Sequence, residues 1–271
     1  MPARGWWGLI ALGLLWGVAS LLYGVAVDLL GIALGFAIQL GLSIVLGALV
    51  PMIWSHALSL HTAQDAFFLG GLAVMVGGVV LCAQAGGSKS KAPGATGARF
   101  RKGLVIAIIG GIGAPLLNFG IQYGVTLLRS AHQIPQGAQF SVNTYVAWAV
   151  FLSAAAVTQV GYCLYRILST HATAAFGVQG TSRDAGLVVG MSFVWAASVC
   201  FYGMSVVGLG PLGPSFGWPV FIALIVLTSN AWGLILGEWR DAPRSAFRRM
   251  LTGSAVLVLA AFLIGQGNPG S

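Results

Sequence analysis

The sequence predicts an all-α membrane protein of about eight transmembrane helices, and three observations carry that expectation. Only 7% of its 271 residues are charged while 58% are hydrophobic, whereas a soluble domain needs roughly a quarter of its residues charged to face water. Mean hydropathy is +0.91. Residues 29–64 and 185–237 contain no Asp, Glu, Lys or Arg, and both exceed the roughly 20 residues that cross a ~30 Å hydrocarbon core.

Taken in order, span 1 covers about residues 5–27 and follows Arg4. It is too long for the apolar region of a signal peptide, and no small-x-small cleavage site precedes the next span. Span 2 follows the Leu30–Gly31 turn at about 31–54, and span 3 lies at about 66–86. Residues 86–102, GGSKSKAPGATGARFRK, have the Gly/Ser/Ala/Pro composition of a solvated loop. The remaining spans fall at about 103–128, 141–165, 185–208, 217–237 and 248–267. The expected organisation is a first helical repeat at 1–86, a basic cytoplasmic linker at 87–102, and a second helical repeat at 103–271. GIALGFAIQL opening span 2 is echoed by GPLGPSFGWP opening span 7, and Trp54 and Trp239 close those spans. Spans 1–3 would then correspond to spans 6–8 in inverted orientation, as in many secondary transporters.

The net charge of +8 is read as loop topology rather than as a nucleic-acid surface. Lys89, Lys91, Arg99, Arg101 and Lys102 follow span 3, Arg166 and Arg183 follow span 5, and Arg240, Arg244, Arg248 and Arg249 follow span 7. The other side holds only Arg4 and Arg129. The positive-inside rule therefore puts the odd-numbered loops in the cytoplasm and both termini on the periplasmic side. Glycines cluster inside the spans, as in Gly110, Gly111 and Gly113, where small residues let helix backbones approach. Pro51, Pro115, Pro211, Pro214 and Pro219 lie inside or beside spans, and each leaves a carbonyl to be satisfied elsewhere.

Chemistry that needs ionised groups at mid-membrane is not supported. The acids are Asp28, Asp65, Asp184, Glu238 and Asp241, all at span ends or in loops, and His56, His61, His132 and His171 are equally peripheral. No cofactor, metal site, Ser-His-Asp site or aspartyl protease pair is expected. Cys82, Cys163 and Cys200 have no metal-ligand spacing and read as small apolar residues. Neutral polar and aromatic groups are what the spans do carry. Trp16, Ser20 and Tyr23 fall at i, i+4, i+7; Asn118 and Gln122 at i, i+4; Trp195, Ser198 and Tyr202 at i, i+3, i+7, so each set shares one helix face. Gln39 and Ser43 in span 2, Gln159 in span 5 and Trp218, Thr228, Asn230 and Trp232 in span 7 add to them. Such groups either bond helix to helix or line a cavity, where amides and hydroxyls meet a solute's polar groups and aromatic faces stack on a sugar ring.

The pieces LWGVASLLYG (15–24), RKGLVIA (101–107) and GLILGEW (233–239) followed by Arg240, Asp241 and Ala242 resemble, in collinear order over nearly the whole chain, the rhamnose–proton symporter family of the drug/metabolite transporter superfamily. That resemblance implies a bundle of two inverted repeats, a central solute cavity, alternating access and a bacterial inner-membrane location. The family usually has ten spans, so this chain would correspond to a shortened version beginning at the third. Where the family has asparagines in the counterpart of 16–24, this chain has Ser20 and Leu22, and apolar residues around Phe221 replace a family histidine. Trp16, Tyr23, Gln122 and Trp218 fit the family's cavity-lining pattern, while Glu238 reads as a membrane-end residue paired with Arg240 or Arg244. The expected function is secondary transport of a small polar solute, a sugar or related metabolite, with protons as the candidate coupling ion. The expected wall is Trp16, Ser20, Tyr23, Gln39, Asn118, Gln122, Tyr202 and Trp218. The alternatives are a non-transporting membrane subunit or sensor packed on a partner and, less favoured, an intramembrane enzyme.

Overall fold

The computed structural model describes residues 3–55, 62–89, 97–132, 142–177, 181–209 and 212–267. His56, His61, Lys91 and Pro211 lie outside the described residues. The described residues form nine α-helices, one short 3-10 helix (Ala172–Gly177) and no strand. The helices are α1 (Ala3–Leu30), α2 (Ile32–Trp54), α3 (Ala63–Lys89), α4 (Gly97–Gly113), α5 (Leu116–His132), α6 (Val142–Ser169), α7 (Thr181–Gly208), α8 (Gly213–Ile235) and α9 (Arg244–Gln266). Among the described residues eight helical stretches are long and apolar enough to cross a membrane, with α4 and α5 together forming one of them.

The fourth span is thus two helices rather than one, and Pro115 is the reason. Proline has no N–H to continue the ladder and its ring crowds the preceding turn, so the chain turns at residues 114–115. The Ala114 N–H still donates to the Gly110 carbonyl at 2.8 Å, and the ladder restarts with the Phe119 N–H on the Pro115 carbonyl at 3.0 Å.

Two compact units are formed, neither continuous in sequence: residues 1–18 with 120–208, and residues 19–119 with 209–271. In the first unit the opening turns of α1 lie against α6 and α5. A Cβ on Gly17 would meet the Ala155 carbonyl at 2.6 Å, and one on Gly124 would meet the Ala147 Cβ at 2.7 Å. Small residues thus set the helix spacing, as expected where lipid removes the hydrophobic drive for helix association. Residues 182–197 of α7 are exposed around the whole helix, with Phe193 75% and Val194 72% accessible, an apolar surface suited to acyl chains.

In the second unit α3 and α9 share the longest seam, while α2 touches α3, α4 and α8. Thr62 caps the start of α3: its Oγ1 accepts from the Asp65 N–H at 3.1 Å, and its hydroxyl donates to the Asp65 carboxylate at 2.6 Å. The first bond satisfies one of the backbone donors that a helix start leaves free, and the second holds the hydroxyl in place. The Arg99 guanidinium donates to the Asp28 carbonyl at 3.1 Å, placing a cation at the α1 C-terminus, where the helix dipole favours one.

A single residue, Gly31, joins α1 to α2. Its φ of 82° and ψ of 162° lie in a region that side chains bar to other residues. Gly31→Ala is therefore expected to lower the unfolding free energy of the detergent-solubilised protein by about 1–3 kcal/mol. Gly24→Ala, at a helical position with open space around the missing Cβ, serves as the control. Equal melting temperatures for the two variants would refute the strain argument.

Candidate functional site

The second unit contains a cavity of about 500 Å³, large enough for a small-molecule ligand. It is walled by Tyr23 from α1, by Ile32, Phe36 and Leu40 from α2, and by Val79, Cys82, Ala83 and Gly86 from α3. Ile225, Val226, Ser229, Asn230 and Gly233 of α8, with Glu238 and Trp239 beyond it, complete the lining. Spacing explains each contribution. Residues 32, 36 and 40 recur every fourth position, as do 79, 83 and their neighbours 82 and 86, so each helix presents one stripe. The Tyr23 and Phe36 rings meet edge-on with centroids 5.2 Å apart.

The most polar part of the wall is built around Asn230. Its Nδ2 donates to the Ser254 Oγ of α9 at 3.1 Å and approaches the Cys82 Sγ of α3 at 3.5 Å. One amide thereby links three helices while facing the cavity. The mouth is shaped by the end of α8. The Glu238 N–H donates to the Gly233 carbonyl at 2.9 Å and the Gly237 N–H to the Leu234 carbonyl at 3.1 Å. Gly237 has a φ of +73°. These two bonds and the left-handed glycine make a Schellman cap, which turns the chain back so that Glu238 and Trp239 join the wall. Gly233 is needed in the same place, because a Cβ there would lie 2.9 Å from the Trp239 Nε1. The GLILGEW segment is thus a helix terminator that delivers a carboxylate and an indole to a cavity.

The eight residues expected from the sequence fall in different places. Tyr23 lines the cavity. Trp218 and Asn118 lie in the same unit but between helices, 3% and 1% exposed. The Trp218 Nε1 donates to the Ser43 carbonyl at 2.9 Å and to its Oγ at 3.2 Å. Asn118 donates through Nδ2 to the Gly47 and Pro214 carbonyls at 3.2 and 3.3 Å. Those donors tie α2, α5 and α8 together. Gln39 is 1% exposed and packs against Gly110, with neither end of its amide hydrogen-bonded within the described residues. An unpaired buried amide costs about 1–3 kcal/mol, so Gln39 is a polar group with bonding capacity to offer. Ser20 is half-buried in this unit. Trp16, half-buried Gln122 and buried Tyr202 belong to the first unit. There Trp16 stacks on Trp195 with centroids 6.3 Å apart and planes 21° apart, so two of the stripes recognised by spacing do meet.

Tyr23 is the one wall residue in that expected set; among those missing from it, Ser229, Asn230, Glu238 and Trp239 carry polar groups. Asn230 was noted among the polar residues of its span, and the run Thr228, Ser229, Asn230 inside an apolar helix is the signal that could have found Ser229 beside it. Glu238 was read as a membrane-end group, and only the helix cap shows that the chain folds it onto the wall. Among the described residues no three His, Cys, Asp or Glu side chains come together as a metal site.

An all-helical bundle with eight membrane-crossing stretches and a cavity walled by aromatic, hydroxyl and amide groups is a multi-span membrane transporter. The model of the family described as L-rhamnose-proton symport protein (RhaT) matches residues 6–269, and the chain belongs to that family. A protein of Mannheimia succiniciproducens named L-rhamnose-proton symporter is 26% identical over 269 residues, covering 94% of this chain and 76% of that one. Proteins of the same name from Citrobacter koseri and from Enterobacter sp. strain 638 are 25% and 26% identical over 268 residues, with the same shares covered. No solved structure matches this chain. The family is one of symporters rather than enzymes, so the activity is transport, and a non-transporting subunit is not favoured.

Proposed function

We propose that this chain carries a 6-deoxyhexose of the L-rhamnose type across a bacterial inner membrane together with protons, binding it in the cavity of the second unit. The observation that carries the reading is the composition of that cavity's wall. Tyr23, Ser229, Asn230 and Trp239 supply hydroxyl, amide and aromatic groups, while Ile32, Phe36, Leu40 and Ile225 supply an apolar side. A 6-deoxy sugar has both characters, hydroxyls on most of its ring and a methyl group at one end. The names of the relatives support the same substrate class. The excess of Lys and Arg in the odd-numbered loops supports cytoplasmic odd loops and periplasmic termini. In that orientation the cavity occupies the cytoplasmic half, since its wall is drawn from the start of α2 and the ends of α3 and α8.

Uptake of labelled L-rhamnose into proteoliposomes, driven by an inside-alkaline pH gradient, tests the reading. Burying a methyl rather than a hydroxymethyl group against Phe36 and Leu40 avoids desolvating a hydroxyl, worth about 1–2 kcal/mol. Unlabelled 6-deoxyhexoses are therefore expected to compete about tenfold better than their 6-hydroxy counterparts. Equal competition by both classes would refute the wall assignment, and no uptake of any sugar in the panel would refute the substrate class.

A further inference from the structure

We propose that the Gln39 amide is a further solute-binding group, brought to the cavity when α4 swings about its break with α5 at residues 114–115. The proposal rests on the reading that a sugar occupies the cavity of the second unit. Gln39 and Ser43 are the amide and the hydroxyl of α2, and with Gly35 and Gly47 they recur every fourth residue along one buried stripe. Ser43 is paired with the Trp218 indole. Gln39 is 1% exposed, and neither its Nε2 nor its Oε1 has a partner within the described residues. Burying an amide unpaired is unfavourable, and an apolar side chain would fill the same space without that cost. The amide therefore has a use outside the packing of this state.

Its surroundings point to the cavity. Leu40, the next residue, lines the wall, and so does Tyr23, whose neighbour Leu22 has its Cβ 3.4 Å from where a Cβ on Gly110 would stand. The amide thus lies one residue behind the wall, in the space shared by α1, α2 and α4. What covers it is α4: the Gln39 Nε2 sits directly against Gly110, where a side chain would otherwise be, and the Gln39 Cα is 3.2 Å from the Cβ position of Gly111. Among the described residues α4 contributes none to the wall.

The break makes α4 a movable cover. Pro115 has no N–H for the Gly111 carbonyl, so the ladder is interrupted there, and long helices bend at such positions. Beyond the break α5 is pinned, because the Asn118 Nδ2 donates to the Gly47 and Pro214 carbonyls. Before it, α4 meets its neighbours through small and apolar groups, with Gly113 against Ala19 and Ala107 clustered with Ala26 and Leu30. The Arg99 bond to the Asp28 carbonyl lies at the far end of α4. A swing about residues 114–115 therefore uncovers the amide without breaking a hydrogen bond beside it. Gln39 then offers two N–H donors and a carbonyl acceptor to the hydroxyls of the sugar, and neither end has to leave a protein partner first. A solute that pairs the amide favours the swung position of α4, and that position favours the solute.

The test uses the full chain in proteoliposomes with labelled L-rhamnose as probe and compares wild type with Gln39→Met, which keeps an unbranched chain of similar length and removes the amide. Gln39→Met is expected to raise the KM for uptake about tenfold, the worth of one hydrogen bond to solute. The same variant is expected to raise the melting temperature in detergent by about 2–4 °C, since the resting protein loses only an unpaired buried group. An unchanged KM would overturn the proposal. A lower melting temperature would also overturn it, because the amide would then be satisfied in the resting protein, by a water or a neighbour, and serve packing. A second arm needs no sugar. Gln39→Cys is treated with N-ethylmaleimide in proteoliposomes, and labelling at position 39 is mapped by mass spectrometry against Ala48→Cys, at a position of α2 that is equally buried. Faster labelling of Gln39→Cys is expected, and equal labelling of the two overturns the swing of α4. If wild type takes up no L-rhamnose, the substrate reading fails, while faster labelling at position 39 still supports an amide that α4 uncovers.

Discussion

Gly253→Val is expected to remove nearly all folded protein, measured as the loss of the monodisperse peak after detergent extraction. Gly253 sits on the α3–α9 seam, where a Cβ would lie 2.9 Å from the Cys82 backbone N and 3.0 Å from the Gly78 carbonyl oxygen. The same closeness recurs along the seam. A Cβ on Gly71 would meet the Ile264 N at 2.9 Å, and one on Gly267 would meet the Gln64 O and Phe68 N at 3.0 Å. Two antiparallel helices therefore touch backbone to backbone over three to four turns. Overpacking usually costs about 1–3 kcal/mol because side chains shift. Here the obstacles are backbone atoms, so relief requires the helices to part. Parting loses packing along the most extensive contact of the unit, against a total stability of roughly 5–15 kcal/mol. Gly77→Val is the control, since Gly77 is on α3, exposed, and has nothing within 4 Å of the Cβ position. A normal yield for Gly253→Val would mean that the seam is looser than its geometry requires.

How far the sequence could be read follows from what each signal reports. Span number and position were legible because lipid demands a long apolar run regardless of neighbours. α2 and α7 end at the residues expected, while α9 begins four residues before its expected start. Hydropathy is blind to a break within an apolar run, so α4 and α5 were read as one span although Pro115 was in view. Two of the three faces read from spacing touch at the Trp16–Trp195 stack. Periodicity shows which residues share a face but not what that face meets. Asn118 and Asn230 look alike in sequence, yet the first is buried with its Nδ2 on two backbone carbonyls and the second lies on a cavity. The fate of Glu238 depended on the sign of one backbone angle, the φ of Gly237. GLILGEW contains that glycine, but a glycine near a helix end does not by itself say where the chain goes next.

Asn230→Leu is expected to lower solute uptake at least about tenfold at unchanged surface expression. The substitution keeps the same number and branching of side-chain heavy atoms, so the wall stays filled and loses the amide. In the native wall that amide is held by the Ser254 hydroxyl and the Cys82 sulfur, which orients its remaining bonding capacity towards the cavity. A site built to bond a hydroxyl discriminates strongly when the bond is removed, because the solute's group is then buried unpaired. If Asn230 served only to join α8 to α9, Ser254→Ala would break the same link and reduce uptake equally. If it bonds solute, Ser254→Ala only loosens its orientation, and its effect is expected to be clearly smaller than that of Asn230→Leu. Thr228→Val, two residues away on the same helix and absent from the wall, should leave uptake unchanged. The ordering of the three variants therefore decides between glue and ligand. Equal losses for Asn230→Leu and Ser254→Ala, accompanied by equal drops in melting temperature, would assign the amide to helix packing and move the solute site elsewhere.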